Sequence, residues 1–159
     1  MIRDKRGSNR LKKQILKVRD RRISLSDLQD ALKKHPEVSA AYLFGSAAIG
    51  ASAVNDLDVL ILLHGRADKD DVFIDLSDKL SKALNLPEDG IDLLLFDLQE
   101  ADHDVLMKAI NQGILLKNSD PAYLGDMIDK LSGYMLENEP MRIRAKSLRK
   151  ERLEAFCET

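Results

Sequence analysis

The sequence predicts an α/β or α+β domain with a small mixed sheet that is flanked by helices. Strand-sized apolar runs alternate along the chain with segments of helical periodicity, and short turns rich in Gly, Pro or Ser separate them. With 159 residues and a hydrophobic fraction of 44%, the chain can fill one core. These observations favour a single globular domain with an additional terminal helix.

The first half of the chain predicts one helix and two strands. Ser26-Asp-Leu-Gln29 has the pattern of a capping box, so a helix is expected from there through Lys34, before Pro36. The apolar runs Val38–Phe44 and Leu57–Leu63 are typical of buried strands. Between them, residues 45–55 are small and polar, which predicts a turn followed by a short helix.

The second half predicts two more strands and three helices. The strands are expected at Ile91–Phe96 and Ile114–Leu116. The first helix is expected over Asp70–Leu86, where apolar residues recur every four positions, at Val72, Leu76, Leu80 and Leu84. A second runs from about Gln99 to Asn111 with Gly113 as its C-cap, and a third helical region runs from Asp120-Pro121 to about Phe156, interrupted near Pro140.

We expect three segments along the chain. Residues 1–22 hold ten Lys or Arg and two Asp, and form a basic N-terminal extension. Residues 23–118 form the core, and residues 119–159 form a C-terminal helical region packed on it, with a basic end. Basic ends around an acidic middle indicate contact with RNA or an acidic protein, although a solvated helix face explains them equally well.

Several classes of protein are disfavoured. The longest apolar runs, such as Val59–Leu63, are far shorter than the roughly 18 residues that a membrane span needs. No apolar segment follows the basic N-terminus, so no secretory signal is expected. The single cysteine, Cys157, cannot form an internal disulfide. We therefore expect a cytoplasmic protein with no membrane contact.

A phosphate-binding turn is the first candidate functional element. Gly45-Ser46 follows the predicted strand Val38–Phe44 and precedes a predicted helix start. Glycine lets backbone N–H groups approach a phosphate, the serine hydroxyl is a further donor, and a helix N-terminus favours an anion. Alone, Gly-Ser after a strand is equally consistent with an ordinary turn.

Two aspartates at the start of the next strand are the second candidate. Residues two apart on a strand face the same way, so Asp56 and Asp58 lie side by side while Leu57 and Val59 face the core. Two neighbouring carboxylates repel each other, and Mg²⁺ resolves this while also binding substrate phosphates. An exposed strand end with both carboxylates in water is the alternative.

A third carboxylate comes from the following predicted strand. Asp92 interrupts an apolar run, and strand interiors disfavour aspartate. Asp97 is the competing candidate, but it lies at the end of the strand with the opposite parity. Together with Gly45-Ser46 and the first two aspartates, Asp92 predicts a two-metal site for phosphoryl transfer, in which Asp92 is either a metal ligand or the base.

This arrangement resembles a known signature. Gly45-Ser46, followed after nine residues by Asp56-Leu57-Asp58, is similar to the motif of the DNA polymerase β-type nucleotidyltransferase superfamily. The chain length and the Phe-Gly-Ser start resemble its minimal nucleotidyltransferase (MNT) group. The segment Leu106–Leu116 and the long terminal helix resemble the MntA antitoxin branch of HepT/MntA toxin–antitoxin systems.

The resemblance implies a nucleotidyltransferase fold, two Mg²⁺ ions and ATP as donor. It implies transfer of AMP to a tyrosine of a partner HEPN-domain (HepT-like) ribonuclease toxin, which neutralises the toxin. In this sequence Gly45 and Ser46 take the nucleotide-binding role, while Asp56, Asp58 and Asp92 take the metal-binding and catalytic roles.

The loop after Gly45-Ser46 lacks the positive charges that are common in the family. Members commonly carry Arg directly after Gly-Ser and another before the next Gly, whereas this chain has Ala47 and Ile49. Two alternatives therefore stay open: an antitoxin that acts by binding alone, and a nucleotidyltransferase that acts on a small molecule or an RNA end. In the last case the basic N-terminus would bind the RNA.

Overall fold

Two sheets organise the chain. The computed structural model describes residues 15–50, 53–65 and 68–138, and the single positions 140, 141, 143, 144, 147 and 148. The smaller sheet consists of β1 (Ile15–Val18), β2 (Arg21–Ser24) and β4 (Ala53–Val54), in the order β2-β1-β4. The larger sheet consists of β3 (Val38–Phe44), β5 (Leu57–Leu63), β6 (Ile91–Leu95) and β7 (Ile114–Asn118), in the order β6-β5-β3-β7.

The larger sheet is mixed, as predicted. Strand β3 pairs antiparallel with both β5 and β7, whereas β5 and β6 run parallel. Within the described ranges up to residue 138, four helices accompany these strands: α1 (Leu25–Lys33), α2 (Lys69–Ala83), α3 (His103–Gln112) and α4 (Pro121–Glu137). Two single turns of 3-10 helix lie at Gly45–Ala47 and Glu88–Gly90.

Apolar clusters cover both faces of the larger sheet. One joins the sheet to α1, α2 and the small sheet, through buried residues that include Leu28, Leu80, Val59 and Ile61. The other joins the sheet to α3 and α4, through residues that include Leu60, Leu62, Leu106 and Leu131. Burial on both faces explains why β3 and β5 are almost wholly apolar, with Ser39 and Asp58 as the exceptions, rather than alternating.

The N-terminal hairpin is the main difference from the prediction. Residues 15–24 form β1 and β2, although residues up to 22 were expected to form a separate basic extension. Leu16, Val18 and Ile23 point into the first apolar cluster, and their alternation with charged residues spans too few positions to stand out in the sequence. Residues 1–14 of that extension lie outside the described residues.

Several helix boundaries also shift. The cap of α1 is Ser24, whose hydroxyl accepts from the Asp27 N–H at 3.0 Å, and not Ser26; the helix starts earlier and buries Leu25 completely. Helix α3 starts at His103 rather than near residue 99, because the Asp102 carboxylate caps it.

The start predicted for the C-terminal helical region at Asp120-Pro121 is confirmed, and its predicted end near Phe156 lies outside the described residues. Helix α4 begins at Pro121, and the Asp120 carboxylate accepts from the Tyr123 N–H at 3.1 Å. Most of the segment from 139 to Phe156 is not described. Among the described residues, no helix is both long enough and apolar enough to cross a membrane.

Candidate active site

The three predicted aspartates lie together at one end of the larger sheet. Strands β5 and β6 run parallel, and their register places Asp58 directly beside Asp92. Asp56 lies one residue before β5 begins. One carboxylate oxygen from each of the three lies within 4.8 Å of the others. We call these residues the acid triad.

Strand parity sets the direction in which the triad faces. Leu57 and Val59 are fully buried in the cluster beneath α1 and α2. Asp58 alternates with them and therefore faces the opposite side of the sheet, the side on which α3 lies. The triad occupies the starts of the two strands, where Asp56 and Asp58 are half-buried and Asp92 is exposed.

The electrostatics of the triad are those of a cation site. Partial burial, together with the charges of Asp56 and Asp92, raises the pKa of the Asp58 carboxyl to about 6. Within the described part of the chain, no residue forms an ion pair with any of the three carboxylates. Clustered carboxylate oxygens without a cationic partner fit a hard divalent ion such as Mg²⁺.

Gly45 lies immediately beside this cluster. Its neighbour Phe44 pairs with Asp58 in the β3–β5 register, and Gly45 has a positive φ of 70°. A Cβ atom at this position would collide with the Asp58 carboxylate. Glycine is therefore required both for the backbone conformation and for the close approach of the turn to the triad.

The predicted helix start after Gly45 is only one turn of 3-10 helix, over Gly45–Ala47. A turn of this length carries little dipole, so the contribution expected from a helix N-terminus is small here. Ser46 is exposed at this turn. Any phosphate bound there would depend on backbone N–H groups, the Ser46 hydroxyl and a cation from elsewhere.

A cavity of about 420 Å³ opens beside Gly45 and Ser46 and supplies such a cation. Its other wall is one face of α3, formed by Val105, Lys108, Ala109 and Gln112. Lys108 is the charged residue in this lining, and within the described part of the chain its ammonium forms no ion pair. Both sides of the cavity therefore combine polar and apolar residues, with Ser46 and Ile49 on the turn and Lys108 and Val105 on the helix.

Close packing at the end of α3 fixes this wall in place. Gly113 caps the helix, and a Cβ atom there would lie 2.8 Å from the backbone oxygen of Leu43 and would collide with that of Ala109. Helix α3 thus ends in contact with β3, just before the Gly45 turn. The sequence gives no signal for Lys108 or Gln112, because both are polar residues on an exposed helix face.

Asp97, the competing candidate, lies away from the triad. It follows the other end of β6, where its carboxylate accepts from the Gln99 N–H at 2.9 Å and pairs with Lys69 at 3.1 Å. These partners lower the pKa of Asp97. The preference for Asp92 over Asp97 is thus consistent with the geometry.

The sequence model of the family described as "Polymerase beta, Nucleotidyltransferase" matches residues 26–122. No curated protein sequence matches the chain.

Solved structures with a similar fold come from toxin–antitoxin complexes. One contains tri-AMPylated Shewanella oneidensis HEPN toxin with an MNT antitoxin: TM-score 0.51, 21% identity, covering 77% of this chain and 95% of that one. A toxin–antitoxin structure with AMP-PNP has a TM-score of 0.57 and 22% identity, covering 78% and 99%. An MntA–HepT structure has a TM-score of 0.51 and 20% identity, covering 77% and 96%. At these identities the similarity establishes the fold.

Proposed function

Since the chain belongs to the polymerase beta nucleotidyltransferase family, we propose that it is an MntA-like antitoxin that transfers AMP from ATP to a tyrosine of a HEPN-domain toxin. The modification would neutralise the toxin. The observation that carries the proposal is the acid triad beside the Gly45 turn, within a fold shared with MNT antitoxins.

In this proposal the acid triad holds the metal. Asp56, Asp58 and Asp92 would ligate two Mg²⁺ ions, which when bound neutralise the triphosphate and lower the pKa of the attacking hydroxyl. The tyrosine oxygen forms a bond to the α-phosphorus of ATP, the bond from that phosphorus to the bridging oxygen breaks, and pyrophosphate leaves. Asp92 is exposed, so it can pass the tyrosine proton to solvent.

We place the ATP in the cavity beside the turn. Backbone N–H groups and the Ser46 hydroxyl would donate to the phosphates, and Lys108 would supply the positive charge that Ala47 and Ile49 lack. Ile49 and Val105 are exposed apolar residues on opposite walls, at 73% and 42% exposure, and both could contact the base. In this proposal, Lys108 on α3 takes the place of the loop arginines.

Intact-mass spectrometry tests the proposed function. A HEPN-domain toxin is incubated with the chain, Mg²⁺ and ATP, and the same reaction is run with Asp56→Asn. We expect the toxin to gain whole AMP units with the wild-type chain only, with the modified site mapped to a tyrosine. A toxin of unchanged mass that is still bound and inhibited would refute AMP transfer.

That last outcome describes the second candidate function, an antitoxin that acts by binding alone. The observation that favours it is the turn at residues 45–50, which carries no cation of its own. Neutralisation of the toxin by Asp56→Asn, to the same extent as by wild type, would support it.

RNA binding by the basic N-terminus stays a separate prediction. Residues 1–14 lie outside the described residues, and Arg21 and Arg22 are exposed on β2. Salt-sensitive RNA binding that is lost on deletion of residues 1–14 would support an RNA contact, and no binding at low salt would exclude it.

A further inference from the structure

Arg19 at the tip of the β1–β2 hairpin has an unusual backbone conformation. Its φ of 53° lies in the left-handed region, which residues other than glycine and asparagine rarely adopt. Its N–H donates to the Val54 oxygen at 2.9 Å, next to the start of β5. This conformation directs the side chain toward the end of the larger sheet that carries the acid triad.

The guanidinium of Arg19 joins two separate segments of the chain. Its Nε donates to the backbone oxygen of Asn55 at 2.9 Å. Its two terminal nitrogens form a fork on the Asp89 carboxylate, at 3.1 and 3.0 Å. This bidentate arrangement is the geometry in which arginine fixes orientation as well as charge.

Both segments lead directly into the triad. Asn55 immediately precedes Asp56, and Asp89 lies three residues before Asp92. One side chain therefore bridges the starts of the two parallel strands whose carboxylates must converge. Arg19 lies before residue 26, where the match to the family begins, so one side of this bridge comes from outside the matched segment.

We propose that Arg19 is a positioning residue, which holds the segments before Asp56 and Asp92 at the separation that a shared divalent cation requires. The proposal rests on the metal-binding role of the triad in the proposed function. Arg19 contacts no reacting atom; it acts through Asn55 and Asp89.

Two other roles for Arg19 make different predictions. A bridge that only stabilises the fold would contribute little, because the pair is exposed, at 39% and 76% for the two side chains, and solvent screens such pairs. A counter-ion that only offsets the charge of Asp56 would weaken cation binding, so its removal would tighten that binding. If Arg19 is a positioning residue, its removal should instead weaken cation binding.

The test compares Arg19→Gln, Arg19→Lys and Asp89→Asn with the control Arg22→Gln, in the full chain. Arg22 is an exposed arginine of the same hairpin, and among the described residues it forms no ion pair. The first readout is hydrogen exchange of peptides covering residues 53–60 and 88–95, with residues 103–112 as an internal reference. The second is Mn²⁺ affinity, from the electron paramagnetic resonance signal of free Mn²⁺.

We expect faster exchange in both peptides and about tenfold weaker Mn²⁺ binding in Arg19→Gln. Arg19→Lys should show the same defect, because lysine keeps the charge but lacks the fork. Exchange and affinity equal to those of Arg22→Gln, or tighter Mn²⁺ binding, would overturn the proposal. If the Arg19 variants do not fold, the same two measurements on Asp89→Asn test the proposal, because that variant removes the other partner of the bridge. Neither readout involves ATP or a toxin, so failure of AMP transfer leaves this result interpretable.

Discussion

Asp58 lies between two other carboxylates and is partly withdrawn from water, so its charged form is disfavoured in the metal-free protein. Its pKa rises from 3.8 to about 6 on folding, which means that the folded state binds this proton more tightly than the unfolded chain does. The protonated Asp58 carboxyl therefore contributes fully to the free energy of unfolding below about pH 4, and this contribution is lost as the pH rises through about 6.

We accordingly expect Asp58→Asn to be more stable than wild type at about pH 8 in the presence of EDTA. The free energy of unfolding should rise by about 1 kcal/mol, since solvent partly screens the repulsion between the carboxylates. This difference should disappear below about pH 4. Saturating Mg²⁺ should reverse the order, because the ion binds only the wild-type triad. Urea unfolding at both pH values measures this, and equal stabilities throughout would argue against repulsion within the triad.

In the proposed function, Lys108 is the side chain that contacts the phosphates of ATP. Replacing it with Met removes a charge-assisted contact to phosphate, so the KM for ATP should rise about tenfold or more, with a smaller change in kcat. Lys130→Met, at an exposed position on α4, is the matched control. An unchanged KM in Lys108→Met would remove Lys108 from the nucleotide site.

At the scale of elements, apolar runs were easier to predict than amphipathic ones. Strands Val38–Phe44 and Leu57–Leu63 match the prediction residue for residue, because burial on both faces makes each almost wholly apolar, apart from Ser39 and Asp58. The β1–β2 hairpin was missed, because two four-residue strands interleaved with arginine and lysine look like a solvated tail. The contacts of Arg19 were missed with it.

The hairpin makes its own contribution to stability. Leu16 is 5% exposed and packs in the first apolar cluster, whereas its neighbour Ile15 is 61% exposed on the other face of β1. We expect Leu16→Ala to lower the free energy of unfolding by about 2–3 kcal/mol. Ile15→Ala should change it by less than about 0.5 kcal/mol. Urea unfolding measures both free energies. A decrease below about 0.5 kcal/mol in Leu16→Ala as well as in Ile15→Ala would show that the hairpin is not part of the core.

At the scale of the whole molecule, the larger sheet separates two apolar clusters and leaves one end open for chemistry. Strand parity in the sequence was enough to predict that Asp56 and Asp58 face the same way. That Asp92 lies beside Asp58 depends on β6 pairing parallel with β5, which a single sequence does not reveal. The α3 wall of the cavity likewise depends on tertiary packing at Gly113.

The central claim is nucleotidyl transfer at the acid triad, and the fate of each phosphate of ATP tests it most directly. ATP radiolabelled at either the α- or the γ-phosphate is incubated with the chain, Mg²⁺ and a HEPN-domain toxin of the class named in the proposed function. We predict that only the α label enters the toxin, and that Asp56→Asn abolishes its transfer. Transfer of the γ label, absence of any label from the toxin, or α labelling that persists in Asp56→Asn would contradict the account.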